Sequence, residues 1–182
     1  MVSAANSLVG STAFDIVGVG GATALTDGNY VVVSGVWHNG GLGNAGAVTW
    51  SNGTNGQTVD GSHTISAANS LIGGKANDNV GNTGDIAVLP GGKYVVASPH
   101  WDNGALADAG AVTWAAAGGA TVGVVSTANS LLRWRIALYK FKNSEHKSLS
   151  LSVAATFYAA KLSAEQVISR DIPPIIWGCW LL

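Results

Sequence analysis

The chain has 182 residues and a formal net charge of −1, from nine Lys/Arg and ten Asp/Glu. That length suits one domain with a sizeable core, and the near-neutral balance gives no electrostatic case for nucleic acid or an anionic membrane as partner. Cys179 is the only cysteine, which excludes an intrachain disulfide and leaves packing to hold the fold.

The averages conceal a seam. Residues 1–132 contain seven Asp against Lys75 and Lys93 alone. Every Arg and every Glu follows residue 132, and every glycine except Gly178 precedes it. Segments this different are not expected to share one architecture.

At the start, Met1-Val2-Ser3-Ala4 carries no basic region and no long apolar run follows, so no signal peptide is expected. Ser3-Ala4-Ala5-Asn6-Ser7-Leu8-Val9-Gly10 then returns as Ser66-Ala67-Ala68-Asn69-Ser70-Leu71-Ile72-Gly73, an offset of 63. Tyr30-Val31-Val32 returns as Tyr94-Val95-Val96 at an offset of 64. At the same offset Ala45-Gly46-Ala47-Val48-Thr49-Trp50 returns letter for letter as Ala109-Gly110-Ala111-Val112-Thr113-Trp114. A long period kept over separate blocks marks a repeat architecture. Residues 1–132 are therefore read as two copies of a unit of about 64 residues, over about 6–68 and 69–128. Met1 aligns with Thr64, inside a unit, so the chain is expected to be a fragment of a longer protein.

Each unit predicts four short strands. In the first copy they lie near 6–9, 21–25, 29–36 and 46–50, and in the second near 66–72, 86–89, 93–98 and 110–114. β-branched and aromatic runs such as Tyr30-Val31-Val32-Val33 drive this reading. Asp27-Gly28, Asn39-Gly40, Asn52-Gly53, Gly91-Gly92 and Asn103-Gly104 supply the positive φ values of tight turns. The fold class is all-β: two antiparallel meanders followed by a tail that departs from the repeat. Along the fourth strand, Ala47 and Thr49 face one way and Val48 and Trp50 the other, a pattern suited to sheets stacked face to face. Gly18, Gly21, Gly81 and Gly84 recur in register, which predicts left-handed turns or close approach of neighbouring sheets. Equivalent residues, Tyr30 with Tyr94 and Trp50 with Trp114, are expected in like surroundings.

Val95-Val96-Ala97-Ser98-Pro99, then Asp102-Asn103-Gly104, then Ala109-Gly110-Ala111-Val112-Thr113-Trp114 resembles an FG-GAP type of β-propeller blade. The Ala-Asn-Ser-Leu, Tyr-Val-Val and Ala-Gly-Ala-Val-Thr-Trp blocks resemble more closely a bacterial repeat of unknown function. Such repeats occur in long secreted or surface proteins described as haemagglutinin- or adhesin-like. The resemblance covers residues 2–132 and implies a propeller-like stack in a secreted or surface parent. Thr26-Asp27-Gly28-Asn29 offers one carboxylate and Pro90-Gly91-Gly92-Lys93 none, so the calcium loop of many such blades is not expected here.

After Asn129-Ser130-Leu131 the third copy breaks off into Leu132-Arg133-Trp134-Arg135. An interrupted gene or reading frame is the simplest account of 133–182. Residues 133–142 alternate basic and apolar side chains, 148–169 predict a helix, and Pro173-Pro174 stops it. Neither that helix, with Lys161 inside it, nor the short apolar end at 175–182 predicts a transmembrane segment.

Nothing in this pattern predicts catalysis. Asp15 and Asp78 are equivalent and read as turn acceptors, not as a converging acid–base pair. His38, His63, His100 and His146 do not recur in register, and no metal-ligand spacing is present, so no metal or cofactor is expected. Gly18-Val19-Gly20-Gly21 lacks the helix and Lys-Ser/Thr pair of a nucleotide loop. Trp37-His38-Asn39-Gly40 and Trp101-Asp102-Asn103-Gly104 put a Trp before an Asn-Gly turn. Trp37, Trp101, Asp102 and Asn103 are the candidate binding residues, for a carbohydrate or a protein. A repeated Trp also serves packing between adjacent units. The expected role is non-catalytic, adhesive or scaffolding. A β-solenoid segment of a filament and a piece of a propeller enzyme are the alternatives. Two units leave open sheet faces, so residues 1–132 are expected to be marginally stable unless the tail covers one face or chains self-associate through them.

Overall fold

The structure is a computed structural model that describes residues 1–82 and 86–132. The sequence readings of 133–142, 148–169, 175–182 and Gly84 lie outside the described residues.

Among the described residues, nine strands form two open sheets. β1 (Ala22–Ala24), β2 (Tyr30–Ser34), β3 (Ala47–Ser51) and β4 (Ser70–Ile72) pair consecutively and antiparallel. β5 (Ile86–Val88), β6 (Tyr94–Ser98), β7 (Ala111–Ala115) and β9 (Ser130–Leu132) repeat that order. This is the meander order, with each strand beside its predecessor. A short β8 (Gly123–Val124) joins the first sheet by parallel pairing to β4. Val9 pairs with Thr64 in the same parallel sense. Ile65 N–H donates to Val9 O at 3.0 Å, and Val125 N–H to Ile72 O at 2.9 Å, so the link is one motif used twice.

The sheets are out of phase with the sequence blocks. β4 carries the Asn-Ser-Leu block that opens the second copy, yet it is the fourth antiparallel strand of the first sheet. β9 carries the same block from the third copy and completes the second sheet. Each copy is thus fastened to the next by donating a strand to its predecessor. Among the described residues, 6–9 form no antiparallel pair, and Val9 makes a parallel bridge.

The core lies between the sheets, and strand alternation decides its lining. Val31 stands opposite Trp50, Val33 opposite Val48, and Val48 opposite Leu71, so these bulky side chains share one face. They pack on Tyr94, Val96, Ala111 and Ala115, which share the contrasting face of the second sheet. A large face fits a small one, as the Ala/Thr versus Val/Trp alternation predicts. Gly81, at φ +73°, sits where an added Cβ would lie 2.5 Å from Val48 Cγ2. A Cβ on Gly119 would meet the Trp50 ring at 2.9 Å. Glycine is needed at both places for close approach as well as for turning. A smaller cluster on the other face of the first sheet joins Trp37, Ala47, Ile65 and Ile72 with Leu8 and Val17.

Equivalent residues keep their register but not their burial, which corrects the expectation of like surroundings. Tyr94 is 1% exposed and Trp50 8%, whereas Tyr30 and Trp114 are half-buried. Tyr94 and Trp50 point into the gap between the sheets, and Tyr30 and Trp114 point away from it.

Candidate functional site

The recurring chemical groups hold the backbone. Asp15 and Asp78 are buried, at 3% and 1% exposure. Asp15 Oδ2 accepts from the N–H groups of Ser11 (2.9 Å) and Thr12 (2.8 Å), and its Oδ1 from the N–H of His38 (3.0 Å). The His38 ring Nδ1 lies 3.1 Å from the same oxygen. Asp78 repeats the arrangement: Oδ2 accepts from Gly74 and Lys75 N–H (2.8 Å each), and Oδ1 from Asp102 N–H (3.1 Å). Each carboxylate ties the loop around it to the turn that follows a buried Trp. Neither keeps an oxygen clear of main-chain donors.

A second set of polar groups was hidden in the repeated blocks. Thr49 Oγ1 lies 2.7 Å from Ser70 Oγ, and Ser70 donates to Asn69 Oδ1 at 2.9 Å. Thr113, Ser130 and Asn129 repeat the chain at 2.7 and 2.9 Å. The same Asn oxygen accepts an N–H three residues earlier, from Ser3, Ser66 and Ser126 in turn. The recurrence of Thr within Val-Thr-Trp and of the Asn-Ser pair was its sequence signal. In the loop before β4, Thr58 donates to Asp60 Oδ1 at 2.6 Å, and Asn69 Nδ2 donates to both Asp60 oxygens. The Thr58 hydroxyl foremost, against a desolvation cost, with Ser62 and Asn69 helping, lowers the Asp60 pKa to about 2.

The four candidate binding residues do not form one surface. Trp37 and Trp101 are buried, at 3% and 5% exposure, so neither ring offers a platform to solvent. Asp102 and Asn103 are half-buried on the β6–β7 loop. Asp102 Oδ1 accepts from Asp108 N–H (2.9 Å), and Oδ2 stands 4.0 Å from Lys75 Nζ, which also donates to Gly104 O. His100 Nδ1 lies 3.1 Å from Asp108 Oδ1. Asn103 exchanges two main-chain hydrogen bonds with Leu106, both 3.0 Å, around Gly104 at φ +60°. Asn39 and Leu42 build the same tight turn around Gly40. A polar, charged rim with exposed Leu106 at its tip is what the second loop presents.

Among the described residues, no group of three His, Cys, Asp or Glu side chains could hold a metal ion. No helix among them is long and apolar enough to cross a membrane.

A family model described as a repeat of unknown function (DUF5650) matches residues 1–19, 24–82 and 88–132. No curated protein and no solved structure matches the chain. The segments 24–82 and 88–132 begin at the last residue of β1 and of β5 and contain the last antiparallel strand of each sheet, close to the phase of the sheets. Matched over most of its length, up to the point where the repeat pattern ends, the chain belongs to this family, the repeat of unknown function DUF5650.

Proposed function

We propose that this chain is a non-catalytic binding or scaffolding array whose sheets stack in the manner of β-propeller blades, from an adhesin-like protein secreted by or displayed on a bacterium. The observation that carries the reading is the saturation of Asp15 and Asp78 by main-chain donors. Residues that recur with chemistry serve the architecture, and the loops are left to meet a partner. With both Trp rings inside, the exposed rim is polar, charged and tipped by Leu106, which suits a protein surface better than the stacked face of a sugar.

Binding of the full chain to immobilised extracellular proteins and to a glycan panel tests this. Binding to a protein, lost in Asp102→Ala and Asn103→Ala with unchanged circular dichroism, is the expected result. Turnover of an ester, glycoside or peptide substrate, abolished by Asp78→Asn, would overturn it. A filament segment is the second reading, favoured by the parallel links Val9–Thr64 and β4–β8.

A further inference from the structure

Residues 7–9 correspond to β4, yet among the described residues no strand pairs with them antiparallel. They are held against 63–65 as β4 is held against 123–125: Val9 N–H donates to His63 O (2.8 Å) and Ile65 N–H to Val9 O (3.0 Å). β4 has β3 on its other side, with Ser70 against the Thr49 hydroxyl. Ser7 makes the equivalent bond to Asn6 Oδ1, but no Thr stands opposite it among the described residues.

The loop that follows is also set for a dock it does not have. After β4, the N–H groups of Gly73, Asn77, Asn79 and Val80 donate to the carbonyls of Gly46, Gly43, Asn44 and Ala45. The loop after residue 9 keeps the same backbone. Phe14 has φ 67° where Asn77 has 65°, and Ile16 has φ 40° where Asn79 has 46°. Its N–H groups at Gly10, Phe14, Ile16 and Val17 reach no acceptor among the described residues. Phe14 is 81% exposed and Ile16 58%, both in a backbone region costly for bulky side chains. Such a conformation persists where something else gains from it.

The matching dock exists at the other end of the repeat. Residues 107–110 repeat 43–46: Asp108 has φ 48° where Asn44 has 53°, and Gly110 has 72° where Gly46 has 79°. On the adjoining face, Val112 is half-buried where Val48 is 1% exposed. The strand position beside β7 is held by β9, but the sequence then puts Arg133 where the internal template has Gly73. A Cβ at Gly73 would strike Ala45 O, and residues 3–19 keep Gly10 at that place.

We propose that residues 3–19 of one chain replace β9 on the second sheet of another, so that copies of this chain join head to tail by strand exchange. Ser7 then pairs with Thr113, Leu8 lies opposite Val112, and Val9 lies opposite Ala111, which is the register of β4 on β3 moved to β7. The join is heterologous, so it propagates instead of closing on itself as a two-fold dimer does. It rests on the stacking geometry and not on the binding role proposed above.

Two full-length chains test it, both carrying Cys179→Ser, one with Ser7→Cys and the other with Thr113→Cys. Mixed under mild oxidation, they should cross-link between chains about tenfold faster than Ser7→Cys with Thr49→Cys, whose neighbour β4 runs on into Gly73 and a loop docked on 43–46. Unmodified protein should sediment as a concentration-dependent series, and Ser7→Asp should weaken that association about tenfold or more by burying an unpaired charge. The proposal is overturned by equal cross-linking rates, by a monomer throughout the concentration series, or by association that Ser7→Asp leaves intact. If the cysteine variants fail to fold, sedimentation of the unmodified and Ser7→Asp chains decides alone.

Discussion

Asp78 is a keystone because its partners are backbone groups that water cannot easily reach. Its two oxygens receive the N–H groups of Gly74, Lys75 and Asp102 inside a site 1% exposed. An unpaired buried donor costs about 1–3 kcal/mol, so Asp78→Ala should lower stability by about 2–4 kcal/mol once water has restored part of the bonding. Asp78→Asn, which keeps one carbonyl oxygen, should cost less. Urea unfolding checks both, and an Ala variant as stable as wild type would refute the account. The turn role of this Asp was legible, since Asp beside Gly and Asn in a repeated loop accepts main-chain hydrogen bonds. The Thr49–Ser70 pair was not. A Thr in a strand reads as ordinary β-propensity, and its partner lies on a strand whose pairing the spacing does not give.

Strands and loops show the same division. Tyr-Val-Val and Ala-Val-Thr-Trp were legible as strands because β-branched and aromatic side chains fit a pleated surface, and the observed β2, β3, β6 and β7 lie within a residue or two of the expected bounds. What period alone cannot supply is phase. A repeat may be cut anywhere without changing its spacing, so the letters could not say that β4 belongs with β1–β3 and not with β5–β7. The loop from 52 to 69 makes its own prediction. Asp60 has its pKa lowered from 3.8 to about 2 by the Thr58 hydroxyl first, then by Ser62 and Asn69. A depressed carboxylate adds stability above its unfolded pKa and loses that increment as pH falls through the folded value. Asp60→Asn should therefore melt below wild type at neutral pH, with the gap closing between about pH 4 and pH 2. A gap that stays constant across that range would show that the Asp60 charge is not what the loop uses.

The stacking of two sheets makes a repeat a natural control for itself. Leu71 and Leu131 are the same letter at the same register, each opposite a Val of the neighbouring strand. Leu71 is 1% exposed because its face meets the second sheet; Leu131, on the second sheet, is half-buried on the face directed away from the first. Sequence could not separate them, since burial depends on what lies across the gap and not on the residue or its neighbours in the chain. Removing a buried Leu side chain costs about 2–5 kcal/mol through lost transfer energy and the cavity left behind. Leu71→Ala should fall in that range, and Leu131→Ala should cost well under half as much in dilute solution, by urea unfolding of each variant. Where residues 3–19 of another chain take the place of β9, Leu8 stands opposite Val112 instead of Leu131, and the cost of Leu131→Ala should fall further. Equal costs in dilute protein would mean that the two faces are equally buried in the monomer, and the large-face-on-small-face account of the fold would fail.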